Sequence, residues 1–201
     1  RKSGYVSAPQ YDITHEEMQK MKKEVEIRKK HARKALKILG VQKVRFLDLP
    51  NQELDQLPLL KIIKEIEKEI FETKSSLIFT HHYNDLNLDH RVAYEATITA
   101  ARPVPDSKVS SIISFEIPAA TDWRKPYKFN PNLHIDISSQ LTTKVNALKA
   151  YEYEFRKPPH PRSKEITEAV AKRWGSLSGF KAAEAFEIVM SRMSNLDKIS
   201  L

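Results

Sequence analysis

Apolar positions recur along the chain with two different periods, and these divide it into helices and strands. Met18, Met21, Val25, Ala32, Ala35 and Leu39 form one stripe at helical spacing. Thr14-His15-Glu16-Glu17 is a capping-box pattern in front of that stripe, and Gly40 follows it, so a long helix is predicted from Thr14 to Leu39. Val44 to Leu49 is a short run of β-formers closed by Pro50, and it predicts a strand. Leu59, Ile62, Ile63, Ile66 and Ile70 return to the helical period. Ser76 to Thr80 predicts a second strand, the residues after His90 a helix that stops before Pro103, and Val109 to Ile117 a third strand. Beyond Pro118, a loop from Lys125 to Asn132 leads to a short strand, Leu133 to Ile137, and then to helices starting near Ser139, Ser163 and Phe180.

Strands separated by helices at intervals of some thirty residues imply right-handed βαβ units. The expectation is therefore an α/β fold: a doubly wound, mostly parallel, Rossmann-like sheet with helices on both faces and a helical C-terminal tail. No internal repeat or linker divides the 201 residues, so a single domain over 1–201 is expected, with the tail 118–201 packed on the same core.

Composition changes this picture in one place. The chain has only 4 glycines, fewer than an average composition would supply, and its first helix has no strand before it. A glycine-bearing first strand unit is therefore expected upstream of Arg1, which is also not a Met. With no cysteine, disulfides and thiolate metal sites are excluded and His, Asp and Glu remain as metal ligands. No run of about 20 apolar residues is present, so no transmembrane segment is expected, and the protein is read as cytoplasmic. The net charge is +8, much of it between Lys20 and Arg45. Glu24 and Glu26 interleave there, so the stretch reads as a solvated helix face rather than a nucleic-acid surface. The same charge would suit a substrate bearing phosphate or carboxylate.

The densest chemistry is His81-His82-Tyr83-Asn84-Asp85-Leu86-Asn87-Leu88-Asp89-His90-Arg91, placed where the predicted strand Ser76 to Thr80 ends. Ligands in open α/β sheets gather at such carboxyl ends. His90 is the best single metal-ligand candidate, while Asp89 and His90 could equally be a helix cap and a first-turn residue. His82 and Asp85 are further polar candidates in the same loop. Arg28 falls on the core-facing stripe of the long helix and needs an anion, either an internal carboxylate or a substrate oxygen. His31 shares its face.

These segments resemble the PIG-L family, the LmbE-like N-acetylglucosaminyl deacetylases. The resemblance rests above all on Thr80 to Arg91, with Arg28, Ala35 to Val41, Phe46 to Pro50, Ala101-Arg102-Pro103, Asp136-Ile137-Ser138, Pro159-His160-Pro161-Arg162-Ser163 and Ala183-Glu184-Ala185-Phe186. It implies a zinc-dependent hydrolase that removes the acetyl group from an N-acetylglucosamine-type conjugate, nucleotide- or lipid-linked. His90 would be a zinc ligand, Asp89 would orient the site, Arg28 would hold substrate together with His82 and Asp85, and Asn87 would donate to the oxyanion. The family's other ligands and its general base come from an early His-Pro-Asp-Asp string, which this sequence lacks; His160-Pro161-Arg162-Ser163 shares only its first two residues. The sequence also has Arg28-Lys29-Lys30-His31 where the family often has Arg-x-x-Glu, and Asn87 where many members carry His. An inactive member that binds without turnover, and a basic nucleic-acid-binding module, are the alternative readings. A homo-oligomer is a further expectation from the resemblance.

Overall fold

A computed structural model describes residues 14–126 and 128–193. The chain forms two compact units, each made of two separate stretches: 14–46 with Ser139–Glu168, and Leu47–Ser138 with 169–193.

The first unit contains helix α1 (His15–Ile38) and helix α4 (Leu141–Lys149). α1 begins as its sequence predicts. The Thr14 hydroxyl accepts from the Glu17 N–H at 3.2 Å, and the Glu17 carboxylate accepts from the Thr14 N–H at 3.0 Å. It ends at Gly40, whose φ of +74° suits glycine, while the Val41 N–H reaches back to the Leu36 carbonyl at 2.9 Å. Ala35, Ala147 and Ala150 form a small buried cluster with Tyr151 packed on it. Small side chains at this contact let the two helix backbones approach closely.

The second unit is built on a four-stranded sheet of order β1-β2-β4-β3, with β1 (Leu77–His81), β2 (Ser111–Phe115), β3 (Leu133–Asp136) and β4 (Ala183–Ser191). Helix α2 (Leu59–Thr73) and helix α3 (Leu88–Ala100) bury Ile62, Ile63 and Ala96 between them, with Leu49, Leu54, Leu57 and Val92 around that cluster. The Thr80 hydroxyl bonds to Thr97 of α3 at 3.3 Å, fixing α3 on the sheet. Helix α5 (Lys164–Ser178) starts in the first unit, and its Trp174 lies in the second, in a core with Phe129, Ala183 and Ala185.

The fold is α/β, and three details differ from the sequence expectation. First, only β1 and β2 pair in parallel, through the βαβ unit β1-α3-β2; β4 runs antiparallel to both β2 and β3. The described sheet is mixed rather than mostly parallel. Second, the helix expected near Phe180 is strand β4, so the tail is not wholly helical. Ala, Glu and Phe are permissive in helices, but neighbours on both sides give β4 two hydrogen-bonded ladders. Third, Val44 to Leu49 is not a strand. Asp48 takes a left-handed φ of 54°, which breaks an extended run, and no described strand offers it a ladder.

Candidate functional site

The loop after β1 is organised around one buried carboxylate. Asp85 is fully buried: one oxygen accepts from the Asn87 N–H at 2.7 Å and the other from the Thr121 hydroxyl at 3.1 Å. The first oxygen also lies 3.1 Å from Nδ1 of His90. That contact is close but off the axis of an aligned hydrogen bond. Burial pushes the Asp85 carboxyl up, but the His90 ring, the Asn87 N–H and the Thr121 hydroxyl outweigh it and hold it below the usual aspartate range. A carboxylate beside Nδ1 restrains the imidazole electrostatically.

His81, the last residue of β1, stacks on His90 with ring centroids 4.1 Å apart and an angle of 20°. Burial chiefly, then the adjacent His90, push its imidazole down to about 4 against the raising influence of Asp85. His81 is therefore neutral at pH 7 and can lie against His90 without charge repulsion.

His82 and Asn87 are held by their own partners. His82 is fully buried; its Nδ1 accepts from the Asn84 N–H at 3.1 Å, so its ring proton sits on Nε2, which faces Glu187 Oε2 at 3.1 Å. Glu187 also accepts from the Asn130 N–H. Asn87 caps α3: its Oδ1 accepts from the Asp89 N–H at 2.9 Å and from the Gln52 amide at 3.2 Å. The carbonyl end is thus engaged, and the Nδ2 end is the donor. Arg91 ties the loop down by donating to the carbonyls of Asp85 and Leu86 at 2.8 and 3.0 Å.

Asp89 turns elsewhere. Its carboxylate accepts from the backbone N–H groups of Gln52 and Leu54 at 2.5 and 3.1 Å, so it anchors the 3-10 turn Leu54–Gln56 to the start of α3. The carboxylate at His90 is that of Asp85. Arg28 belongs to the first unit, where it pairs with Glu154 at 3.0 Å, and Glu154 also takes Arg162 at 2.6 Å. The His31 ring centroid lies 6.5 Å from that of Tyr151 and 5.5 Å from that of Tyr153.

Among the described residues no three His, Asp or Glu side chains are grouped to hold a metal ion. His90 is one suitable donor without two companions, so the described residues do not by themselves fit a zinc centre. Sequence reasoning did not single out Thr121 or Glu187. Thr121 is an isolated threonine far from Asp85 in the chain, and Glu187 lies in the segment expected to be helical; neither carried a signal that could have found it.

Residues 4–101 match the profile of the PIG-L family, described as GlcNAc-PI de-N-acetylase. Three solved structures share the fold at low identity. One is a conserved protein of Thermus thermophilus, at 18% identity and a TM-score of 0.65 over 87% of this chain and 78% of that one. Another is the N,N'-diacetylchitobiose deacetylase of Pyrococcus horikoshii, crystallised with an inhibitor, at 19% and 0.65 over 98% and 74%. The third is the 4-carboxy-2-hydroxymuconate hydratase of Pseudomonas putida, at 17% and 0.67 over 93% and 78%.

Proposed function

This chain belongs to the PIG-L family through residues 4–101, and from that premise we propose that it carries part of the active site of a hydrolase that removes the acetyl group from an N-acetylglucosamine-type conjugate. The observation that carries this reading is the Asp85–His90 pair at the carboxyl end of β1, a buried anion set against one nitrogen of an imidazole. Zinc is the metal that this reading implies, and His90 would be one of its ligands. Asn87, its carbonyl engaged by Asp89 and Gln52, has an amide N–H to offer the oxyanion of a tetrahedral intermediate. The His82–Glu187 pair and Asp85 are the remaining substrate-side candidates, Asp85 through the loop it braces. The net charge of +8 favours a conjugate carrying phosphate or carboxylate, nucleotide- or lipid-linked. No helix among the described residues is long and apolar enough to cross a membrane.

A second reading, a member that binds its sugar conjugate without turnover, draws on the absence of a His-Pro-Asp-Asp string from this sequence. One experiment separates the two. Acetate release from N-acetylglucosamine conjugates is measured with zinc added, alongside calorimetric zinc titration of the same chain and of His90→Ala. Turnover and zinc binding that are both lost in His90→Ala support the hydrolase. Conjugate binding with neither turnover nor zinc uptake supports the second reading, and zinc uptake unchanged by His90→Ala removes His90 as a ligand.

A further inference from the structure

Beside Tyr83 and Leu88 the second unit encloses an open cavity of about 440 Å³. Its floor is apolar. Leu54 and Leu57 come from the 3-10 turn and its exit, Leu88 and Val92 from α3, and Leu54, Leu57 and Val92 also pack on the Ile62, Ile63 and Ala96 cluster. Two of its walls are fastened to the site loop. Asp89 holds the turn in place through the N–H groups of Gln52 and Leu54. On the other side, the Asn84 amide donates to the Arg124 carbonyl at 2.9 Å, and the Thr121 hydroxyl is bound to Asp85. The cavity is thus preformed, and Leu88 and Arg91 in its lining flank His90 in the chain.

The polar groups of the lining indicate a ligand. Arg124 is exposed, and among the described residues no carboxylate pairs with its guanidinium. Such a group, set beside an apolar floor, suits a phosphate. The Tyr83 ring packs beside His82 and Tyr94, at 4.3 and 5.9 Å, and the residue is 44% exposed. It is braced, yet leaves surface on which a planar ring can stack. Asp55 and Glu95 are exposed acids of the same lining. Carboxylates accept from ribose hydroxyls in dinucleotide sites. An acyl or isoprenyl chain in this space would instead strip water from both acids and offer them no donor. A phosphate, a sugar with free hydroxyls and a planar base match the cation, the acids and the ring.

Resting on the hydrolase reading above, we propose that this cavity takes the nucleoside diphosphate part of a nucleotide-linked substrate. Its phosphates lie on Arg124, its ribose toward Asp55 and Glu95, and its base against Tyr83. Such binding requires neither zinc nor turnover.

Calorimetry of the zinc-free chain with UDP, CDP, ADP and GDP, and with inorganic pyrophosphate and geranyl diphosphate, tests this. At least one nucleotide is expected to bind with a Kd on the order of 10–100 µM, and pyrophosphate about tenfold more weakly. Arg124→Gln should weaken both about tenfold, because it removes the phosphate contact. Tyr83→Ala should weaken the nucleotide about fivefold and leave pyrophosphate unchanged, because only the base stacks there. Replacing Asp55 and Glu95 together by alanine should narrow the preference for nucleotide over pyrophosphate. Circular dichroism verifies that the variants stay folded. A folded wild type that binds no nucleotide overturns the proposal, as does pyrophosphate binding as tightly as the nucleotide. Geranyl diphosphate binding more tightly than every nucleotide overturns it too, as does a nucleotide affinity indifferent to Arg124→Gln and Tyr83→Ala. Acetate release from a methyl glycoside of N-acetylglucosamine by a chain that binds no nucleotide would keep the hydrolase and discard the cavity. Nucleotide binding that responds to both variants, without acetate release, would keep the cavity and favour the member that binds without turnover.

Discussion

The Asp85 carboxylate lies 3.1 Å from Nδ1 of His90 and, through the same oxygen, takes the Asn87 N–H at 2.7 Å. A single buried anion therefore sets both the candidate ligand and the candidate oxyanion donor. Removing it leaves the Asn87 N–H and the Thr121 hydroxyl without that acceptor in a buried place. Asp85→Ala is expected to cost about 2–4 kcal/mol in urea unfolding. Asp85→Asn keeps the shape and one acceptor and should cost roughly half as much. Equal losses in the two variants would show that the charge and its hydrogen bonds do not hold the loop.

Asp89, by contrast, supports a neighbouring turn. Its two oxygens hold the amides of Gln52 and Leu54, where Gln52 has a strained φ of 65°. Asp89→Ala should raise amide hydrogen exchange at Gln52 and Leu54 by about tenfold or more, with little change at Asn87, whose N–H is held by Asp85. Faster exchange spreading through the whole 82–91 loop, with none at 52–54, would show that Asp89 orients the site instead of the turn.

What could be read from the sequence was what depends on near neighbours. The α1 cap needs only Thr14 and Glu17, three residues apart, and the stop of α1 needs only Gly40. The site loop was legible for the same reason: a run of polar side chains after an apolar strand marks itself. β4 was not, because Ala183 to Phe186 is neutral between helix and strand until β2 and β3 supply ladders from far away in the chain. The division of labour between Asp85 and Asp89 was hidden too. Both acids flank the same loop, and only the placement of Thr121 and of the turn at Gln52 shows which one faces His90.

Tyr151 reports on Arg28. Burial raises its phenol most, the Arg28 guanidinium lowers it, and Glu154 raises it again, with a net upward shift. A raised phenol keeps the neutral form folded, so its contribution to stability is complete below the ordinary tyrosine value of 10.0 and is lost as pH rises through the higher folded value. Absorbance titration at about 295 nm, with Tyr151→Phe subtracted to assign the signal, should show this phenol ionising late. Arg28→Ala should move it later still. A transition that moves earlier, or does not move, would mean that Arg28 does not face Tyr151 in solution.

Gly175 gives the sharpest test of packing in the second unit. Inside an exposed helix, alanine for glycine gains about 1 kcal/mol. At Gly175, however, a Cβ would stand 2.7 Å from the Phe180 carbonyl oxygen and 2.8 Å from both N and Cα of Ala182. All three are backbone atoms of the segment leading into β4, so no side chain can swing away. Gly175→Ala is expected to destabilise by about 2–3 kcal/mol and to lower Tm by about 5–10 °C. Gly40→Ala is the control, because nothing lies within 4 Å of its Cβ and only the left-handed φ of +74° opposes it, at about 1 kcal/mol. The two variants therefore separate steric from conformational cost. If Gly175→Ala instead proves neutral or stabilising, helix propensity outweighs the contact, and α5 does not approach the start of β4 as closely as the distances require.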